Sequence, residues 1–194
     1  MEQKMTTKGK FTTRQIAVVG MLFAITIVLG ATGIGFIPVP PFKLTIMHLP
    51  VIIGSIIEGP VIGALLGLLF GLFSIFQAIN TPSPVSFIFI NPLVAVLPRI
   101  LIGITPYIAY KYINLKNNKI RLAISTAVGS FTNTLGVVGM IYALHLHAYA
   151  DALHISTAAA SKSLLVLVLN GFSTATLSIL GVVPIVLALN KARK

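Results

Sequence analysis

Arg99 lies inside the apolar run Phe87 to Tyr110, and a guanidinium within a membrane span is costly unless it faces a cavity, a partner or an anionic ligand. The acids of the chain are Glu2, Glu58 and Asp151, all in tail or loop segments, so no carboxylate on the same run can neutralise it. One arrangement points Arg99 into a wet cavity, where it receives an anionic small molecule. The opposing arrangement has it bind backbone carbonyls freed by Pro92 and Pro98, or snorkel.

Amides and hydroxyls recur on the neighbouring runs at helical spacing. Asn91 shares the run of Arg99; Ser130, Asn133 and Thr134 stand at i, i+3 and i+4; Asn170 and Thr174 stand at i and i+4, so each group can line one helix face. Gln77, Asn80, Thr81 and Ser86 can close a pocket from the outer side, and His48, beside Pro50, can hydrogen-bond within its mouth. Any one of these side chains can equally be interhelical glue; their convergence from three runs favours a binding pocket. His145, His147, Asp151 and His154 lie in one outer segment, which reads as a solvated loop, and no metal site is expected there.

Absences narrow the chemistry. There is no GxxxxGK[ST] phosphate loop, no carboxylate within a span to relay protons, no HExxH and no nucleophile–base set, so neither ATP hydrolysis nor intramembrane catalysis is expected, and no cofactor. The chain has no cysteine, which excludes disulfides and thiolate metal sites.

The elements that must position these residues are legible in composition. The 194 residues are 56% hydrophobic and 9% charged, with a mean hydropathy of +1.00, and the long apolar runs lack the alternation of a barrel. An all-α integral membrane protein with six spans follows, at about 15–33, 44–57, 61–79, 87–110, 122–144 and 163–189, in a single domain. The second run is short and contains Pro50. The formal charge of +11 does not indicate nucleic acid, because the basic residues cluster at the ends of apolar runs: Lys4, Lys8, Lys10 and Arg14; Lys111, Lys116, Lys119 and Arg121; Lys191, Arg193 and Lys194. The positive-inside rule then places both termini in the cytoplasm of a multi-pass plasma-membrane protein.

Two small-residue stripes stand out. Gly59, Gly63, Gly67 and Gly71 let a neighbouring helix approach the third span closely. Ala17, Gly20 and Ala24 form a second small face on the first span, which can receive an external partner helix or pack internally.

Several stretches carry a family resemblance across nearly the whole chain: Gly-Phe-Ile-Pro-Val-Pro-Pro at 35–41, Thr-Ile-Met-His-Leu-Pro-Val-Ile-Ile-Gly at 45–54, the glycine-spaced third span, Thr-Pro-Ser-Pro-Val-Ser-Phe at 81–87, Asn91-Pro92 and Pro98-Arg99. The chain resembles the substrate-binding S-components of energy-coupling factor vitamin transporters, and looks most like the pantothenate-type members. The resemblance implies a transmembrane coupling subunit and two cytoplasmic ATPases as partners, and a water-soluble vitamin as cargo. It implies that Gly20 and Ala24 match the family's Ala-xxx-Ala contact motif, with glycine in the first place, and that Pro38, Val39, Pro40 and Lys43 belong to a gate loop. Pyridoxine or a pyrimidine precursor is the alternative cargo, and a stand-alone secondary transporter is the alternative in another class.

Overall fold

The computed structural model describes residues 11–39 and 42–192. Glu2, Lys4, Lys8, Lys10, Arg193 and Lys194, and Pro40 of the expected gate segment, lie outside the described residues.

Helix α1, Thr13–Ala31, starts at a capping box in which the Thr12 hydroxyl accepts from the Gln15 backbone N–H and the Gln15 side chain accepts from the Thr12 N–H. It stops at Gly33, whose φ of +74 suits a residue without a Cβ. The proline-rich segment that follows is an antiparallel ribbon of β1, Phe36–Val39, and β2, Phe42–Thr45, with Phe36 opposite Thr45 and Val39 opposite Phe42. The all-α membrane architecture thus carries one small ribbon between its first two helices.

Helix α2, Leu49–Glu58, corrects the expected span at 44–57: residues 44 and 45 belong to β2, and Pro50 in the first turn sets the helix start. Its ten residues reach only about 15 Å, half of a hydrocarbon core of roughly 30 Å. Every residue from Pro50 to Ile56 is buried, so its all-round apolar surface meets α1, α3, α6 and α8 rather than lipid.

Gly59, at φ +97, turns the chain into α3, Pro60–Asn80. The expected fourth span at 87–110 is broken into α4, Ser86–Ile90, α5, Pro92–Ala95, and α6, Leu97–Tyr112, with Asn91 extended between the first two. Prolines 92 and 98 account for the restarts, since each lacks the N–H that would continue the preceding turn. Helices α7, Asn118–Ala152, and α8, Thr157–Ala192, run well beyond the expected 122–144 and 163–189. The outer segment 145–161, read from sequence as a loop, is mostly helical: α7 bends at His145, and only Leu153–Ser156 connects it to α8.

Among the described residues, five stretches are long and apolar enough to cross a bilayer, and α2 is the shorter sixth. Their apolar side chains are exposed outward, as at Met21, Phe76, Leu169 and Leu180, which is the pattern for a lipid solvent. At one end of the bundle Arg14 pairs with Glu58 at 2.8 Å, and Arg121 stacks on Tyr110 while its Nε donates to the Tyr110 carbonyl at 2.6 Å. This end carries the basic residues of the α6–α7 connection.

The glycine stripe fixes α3 on α6. A Cβ at Gly63 would overlap the Gly103 carbonyl, one at Gly67 the Arg99 carbonyl, and one at Gly71 would lie 2.8 Å from the Val96 Cα. Gly67→Ala is expected to destabilise the protein by about 2 kcal/mol or more, whereas Gly139→Ala, where an added Cβ meets nothing within 4 Å, should stay within about 0.5 kcal/mol; denaturant unfolding in detergent measures both.

Candidate functional site

A cavity of about 860 Å³ opens between α3, α4, α6, α7 and α8, with Thr45 of β2 and Met47 at its edge. Of the residues singled out from the sequence, Gln77, Arg99, Asn133, Thr134, Asn170 and Thr174 line it, as do Thr81 and Ser86 nearer its outer rim. Asn80, Asn91 and His48 are not in its wall.

Arg99 is 8% exposed and is the one charged side chain among the described residues of the wall. Its Nη1 donates to the Val94 carbonyl at 2.8 Å. That carbonyl would accept from residue 98 in a continuous helix, and Pro98 has no N–H to give. Of the two readings of Arg99 from sequence, the bond to a carbonyl that proline frees is therefore present, and the side chain also lines the cavity. Phe70 and Phe89 flank the guanidinium, each ring centroid 5.6 Å from its central carbon, and Nε has no hydrogen-bond partner. No carboxylate pairs with Arg99 among the described residues.

Four hydroxyls of the wall bond back along the chain. Ser74 donates to the Phe70 carbonyl, Thr81 to Gln77, Thr134 to Ser130 and Thr174 to Asn170, each four residues back on its own helix. The Gln77 amide nitrogen donates to the Gly30 carbonyl at 3.0 Å. The hydroxyl oxygens keep lone pairs that a ligand can use, and the Gln77 amide nitrogen keeps a second N–H. The buried Oδ1 of Asn133 has no partner at all. The site thus combines one buried cation with hydroxyl oxygens and with the side-chain amides of Asn133 and Asn170, which both donate and accept.

His48 is 1% exposed, and its Nε2 lies 3.1 Å from the Ser130 Oγ and 3.0 Å from the Ser178 Oγ. The Ser178 hydroxyl also lies 2.8 Å from the Thr174 carbonyl, one turn back on its own helix. His48 is thus a strut joining the start of α2 to α7 and α8 below the cavity, rather than a group at the mouth. Asn91 is likewise reassigned: its Oδ1 caps α5 by accepting from the Leu93 N–H at 3.0 Å, and its Nδ2 donates to the His145 Nε2 at 3.1 Å, which ties the broken fourth span to the bend in α7. Asn80 turns back to the Phe76 carbonyl at 2.8 Å. Among the described residues, no three His, Asp or Glu side chains stand close enough to hold a metal ion. Pro38, Val39 and Lys43 lie in the ribbon, and Ala17, Gly20 and Ala24 form an exposed face of α1 where a Cβ on Gly20 would meet nothing within 4 Å.

Sequence reasoning missed Phe70, Phe89, Val137, Val138 and Leu167, apolar residues that complete the wall. Ser74 was missed as well, although its place three residues before Gln77 and seven before Thr81, both singled out from the sequence, carried a signal for that side of the site.

The family described as "ECF transporter, substrate-specific component" matches residues 14–189. The chain is 38% identical over 143 residues to the pantothenic acid transporter PanT of Lactococcus lactis subsp. cremoris, an alignment that covers 66% of this chain and 71% of that one. It is 36% identical over 115 residues to the pantothenate transporter PanT of Leuconostoc mesenteroides subsp. mesenteroides, covering 57% of this chain and 53% of the other.

Removal of the strut tests its structural role. His48→Ala is expected to cost about 2–4 kcal/mol, from the void it leaves and the two hydroxyls it abandons, while His147→Ala on the exposed face of α7 should fall within about 0.5 kcal/mol in the same unfolding assay.

Proposed function

This chain belongs to the family of ECF transporter substrate-specific components, and from that premise we propose that it captures pantothenate for an ATP-driven importer. The observation that carries the cargo assignment is Arg99, the single charge in the described cavity wall, buried and without a carboxylate partner. A monocarboxylate answers that charge. The hydroxyls and side-chain amides in the rest of the wall answer a ligand that brings polar groups of its own, and pantothenate brings two hydroxyls and an amide. The names of the two relatives point the same way.

As a multi-pass plasma-membrane protein without a phosphate-binding loop, the chain draws its energy from partners: a transmembrane coupling subunit and two cytoplasmic ATPases. The exposed Ala17–Gly20–Ala24 face of α1 is where the coupling subunit docks, since small residues let a second backbone come close. Basic residues at the α6–α7 connection put that end of the bundle, with both termini, in the cytoplasm, so the Thr81–Ser86 rim of the cavity faces out. The ribbon that holds Pro38, Val39 and Lys43 stands at the same rim through Thr45 and serves as the gate.

Equilibrium binding of radiolabelled pantothenate to the purified protein in detergent, with pyridoxine and other vitamins as competitors, tests the assignment. Selective, saturable binding is the expected result; folded protein that binds none, or prefers another vitamin, refutes it. Arg99→Ala should weaken pantothenate by more than tenfold, about 1.4 kcal/mol, while the folded protein is retained in size-exclusion chromatography; unchanged affinity would remove Arg99 from the site. Gly20→Leu should leave binding intact and abolish uptake in cells that carry the coupling and ATPase subunits, and normal uptake would move the docking face elsewhere.

A further inference from the structure

Among the described residues, the contact between Asn91 and His145 is the one hydrogen bond that joins α4 or α5 to α7. Neither residue lines the cavity, but the segments they join do. Phe89, two residues before Asn91, flanks the Arg99 guanidinium, and Val94, three residues after it, supplies the carbonyl that holds Arg99 Nη1. On the opposite side Val137 and Val138 of α7 belong to the cavity wall, about two turns before the bend at His145.

The chemistry of this contact fixes where its protons are. The Asn91 Oδ1 accepts from the Leu93 N–H at 3.0 Å, so the amide cannot turn over without setting its NH2 against another N–H. Its Nδ2 is therefore the atom that meets His145, and it donates at 3.1 Å. That donor needs a lone pair, so the His145 Nε2 carries no proton, and the neutral ring has its single N–H on Nδ1. A proton taken from water onto Nε2 uses up the same lone pair and sets N–H against N–H. Protonation of His145 and its bond to Asn91 exclude each other.

His145 is placed to meet such a proton. It is half-buried near the end of α7, where its φ of −134° and ψ of 16° interrupt the helix. Helices α4 and α5 carry no ionisable side chain. The ionisable groups that the other elements bring to this end of the bundle are Arg99 of α6, Lys162 of α8, His154 of the α7–α8 connection, and Tyr142, His147, Tyr149 and Asp151 of α7. Asp151 is the one acid in that set, and it forms no ion pair with His145. A charge gained by the ring thus replaces a hydrogen bond with no carboxylate in reach to compensate it.

We propose that Asn91 and His145 form a latch worked by the pH outside the cell: closed while His145 is neutral, and opened when it takes a proton. His145 is then a positioning residue, which acts on the cavity through Asn91 and the segment that carries Phe89 and Val94. Opening loosens this wall without unfolding it, because Ile88 and Val94 stay packed in one apolar cluster with Ile141 and Leu164. Acidification therefore weakens retention of the ligand. That consequence rests on the outward placement of the rim and on pantothenate as cargo, whereas the latch itself does not need the cargo.

One experiment reads the two separately. The chain has no cysteine, so spin labels at Leu93→Cys and Tyr142→Cys, both exposed, report the distance across the latch in the full-length protein in detergent. Distance and pantothenate affinity are measured at about pH 8 and about pH 5.5, a range in which histidines take up protons and a carboxylate ligand stays ionised. On acidification the distance should lengthen or broaden and the affinity should fall about fivefold, as for the loss of one hydrogen bond. His145→Gln keeps an acceptor that cannot be protonated, and should flatten both profiles; His147→Gln should leave both as they were. Asn91→Asp keeps the oxygen that caps α5 and offers a carboxylate to protonated His145, so acidification should shorten the distance instead, which carries the test should His145→Gln fail to fold. A distance that ignores pH, or that lengthens equally in His145→Gln, overturns the latch and leaves pantothenate as cargo. An affinity that falls equally in His145→Gln overturns its hold on the ligand. Folded protein that opens on acidification but binds no pantothenate keeps the latch and refutes the cargo.

Discussion

The contact between the backbones of α3 and α6 is the constraint from which the rest of the site hangs. With a glycine at 63, 67 and 71, and another at 103, the two helices approach until main chain meets main chain. Lipid offers apolar side chains no advantage over one another, so this van der Waals contact, rather than exclusion of water, holds such helices together. It also fixes where Arg99 begins, because the Arg99 carbonyl is one of the surfaces touched. Phe70, between Gly67 and Gly71, is brought against the guanidinium by the same packing.

Hydrogen-bond accounting then explains the character of the cavity. Serines and threonines within helices have a convenient acceptor one turn back, and four of those around the site use it. Those four hydroxyls thereby turn their oxygens, rather than their protons, toward other partners. Donors come from the amides of Asn133 and Asn170 and from Arg99, which no acid pairs with among the described residues. Beneath, His48 binds two serines from different helices, so the floor is a cross-linked layer that holds α2, α7 and α8 in register.

Much of this was legible from residue types and spacing. The intramembrane arginine without an acid, the i, i+4 pairs on the last two spans and the glycine stripe all led to groups that meet in or around one cavity. What escaped is what depends on tertiary position. Asn91 has the chemistry of a ligand contact, but its place between Ile90 and Pro92 makes it a cap, and a linear reading has no means of ranking those uses. His48 is similar, since its partners are 82 and 130 residues away. The apolar members of the wall were invisible because more than half of the chain is apolar, and the segment 145–161 reads as a loop only until Tyr149, Ala150, Ala160 and Leu164 are seen buried in a common cluster with Ile88 and Val94. The short α2 was readable as an anomaly, and its explanation, enclosure by protein, required the neighbours.

The Pro98-Arg99 pair has a bearing on how such a protein can change over generations. Proline withholds a backbone proton from Val94 and the next residue supplies one from its side chain, so the two positions answer a single need. Replacing Pro98 with an ordinary residue would satisfy Val94 from the main chain and release one arginine donor toward the cavity; replacing Arg99 first would strand the carbonyl. The order of substitutions along a lineage therefore matters, and the permissive path runs through position 98 before position 99. One proline thus both breaks the fourth span and engages one donor of the buried arginine.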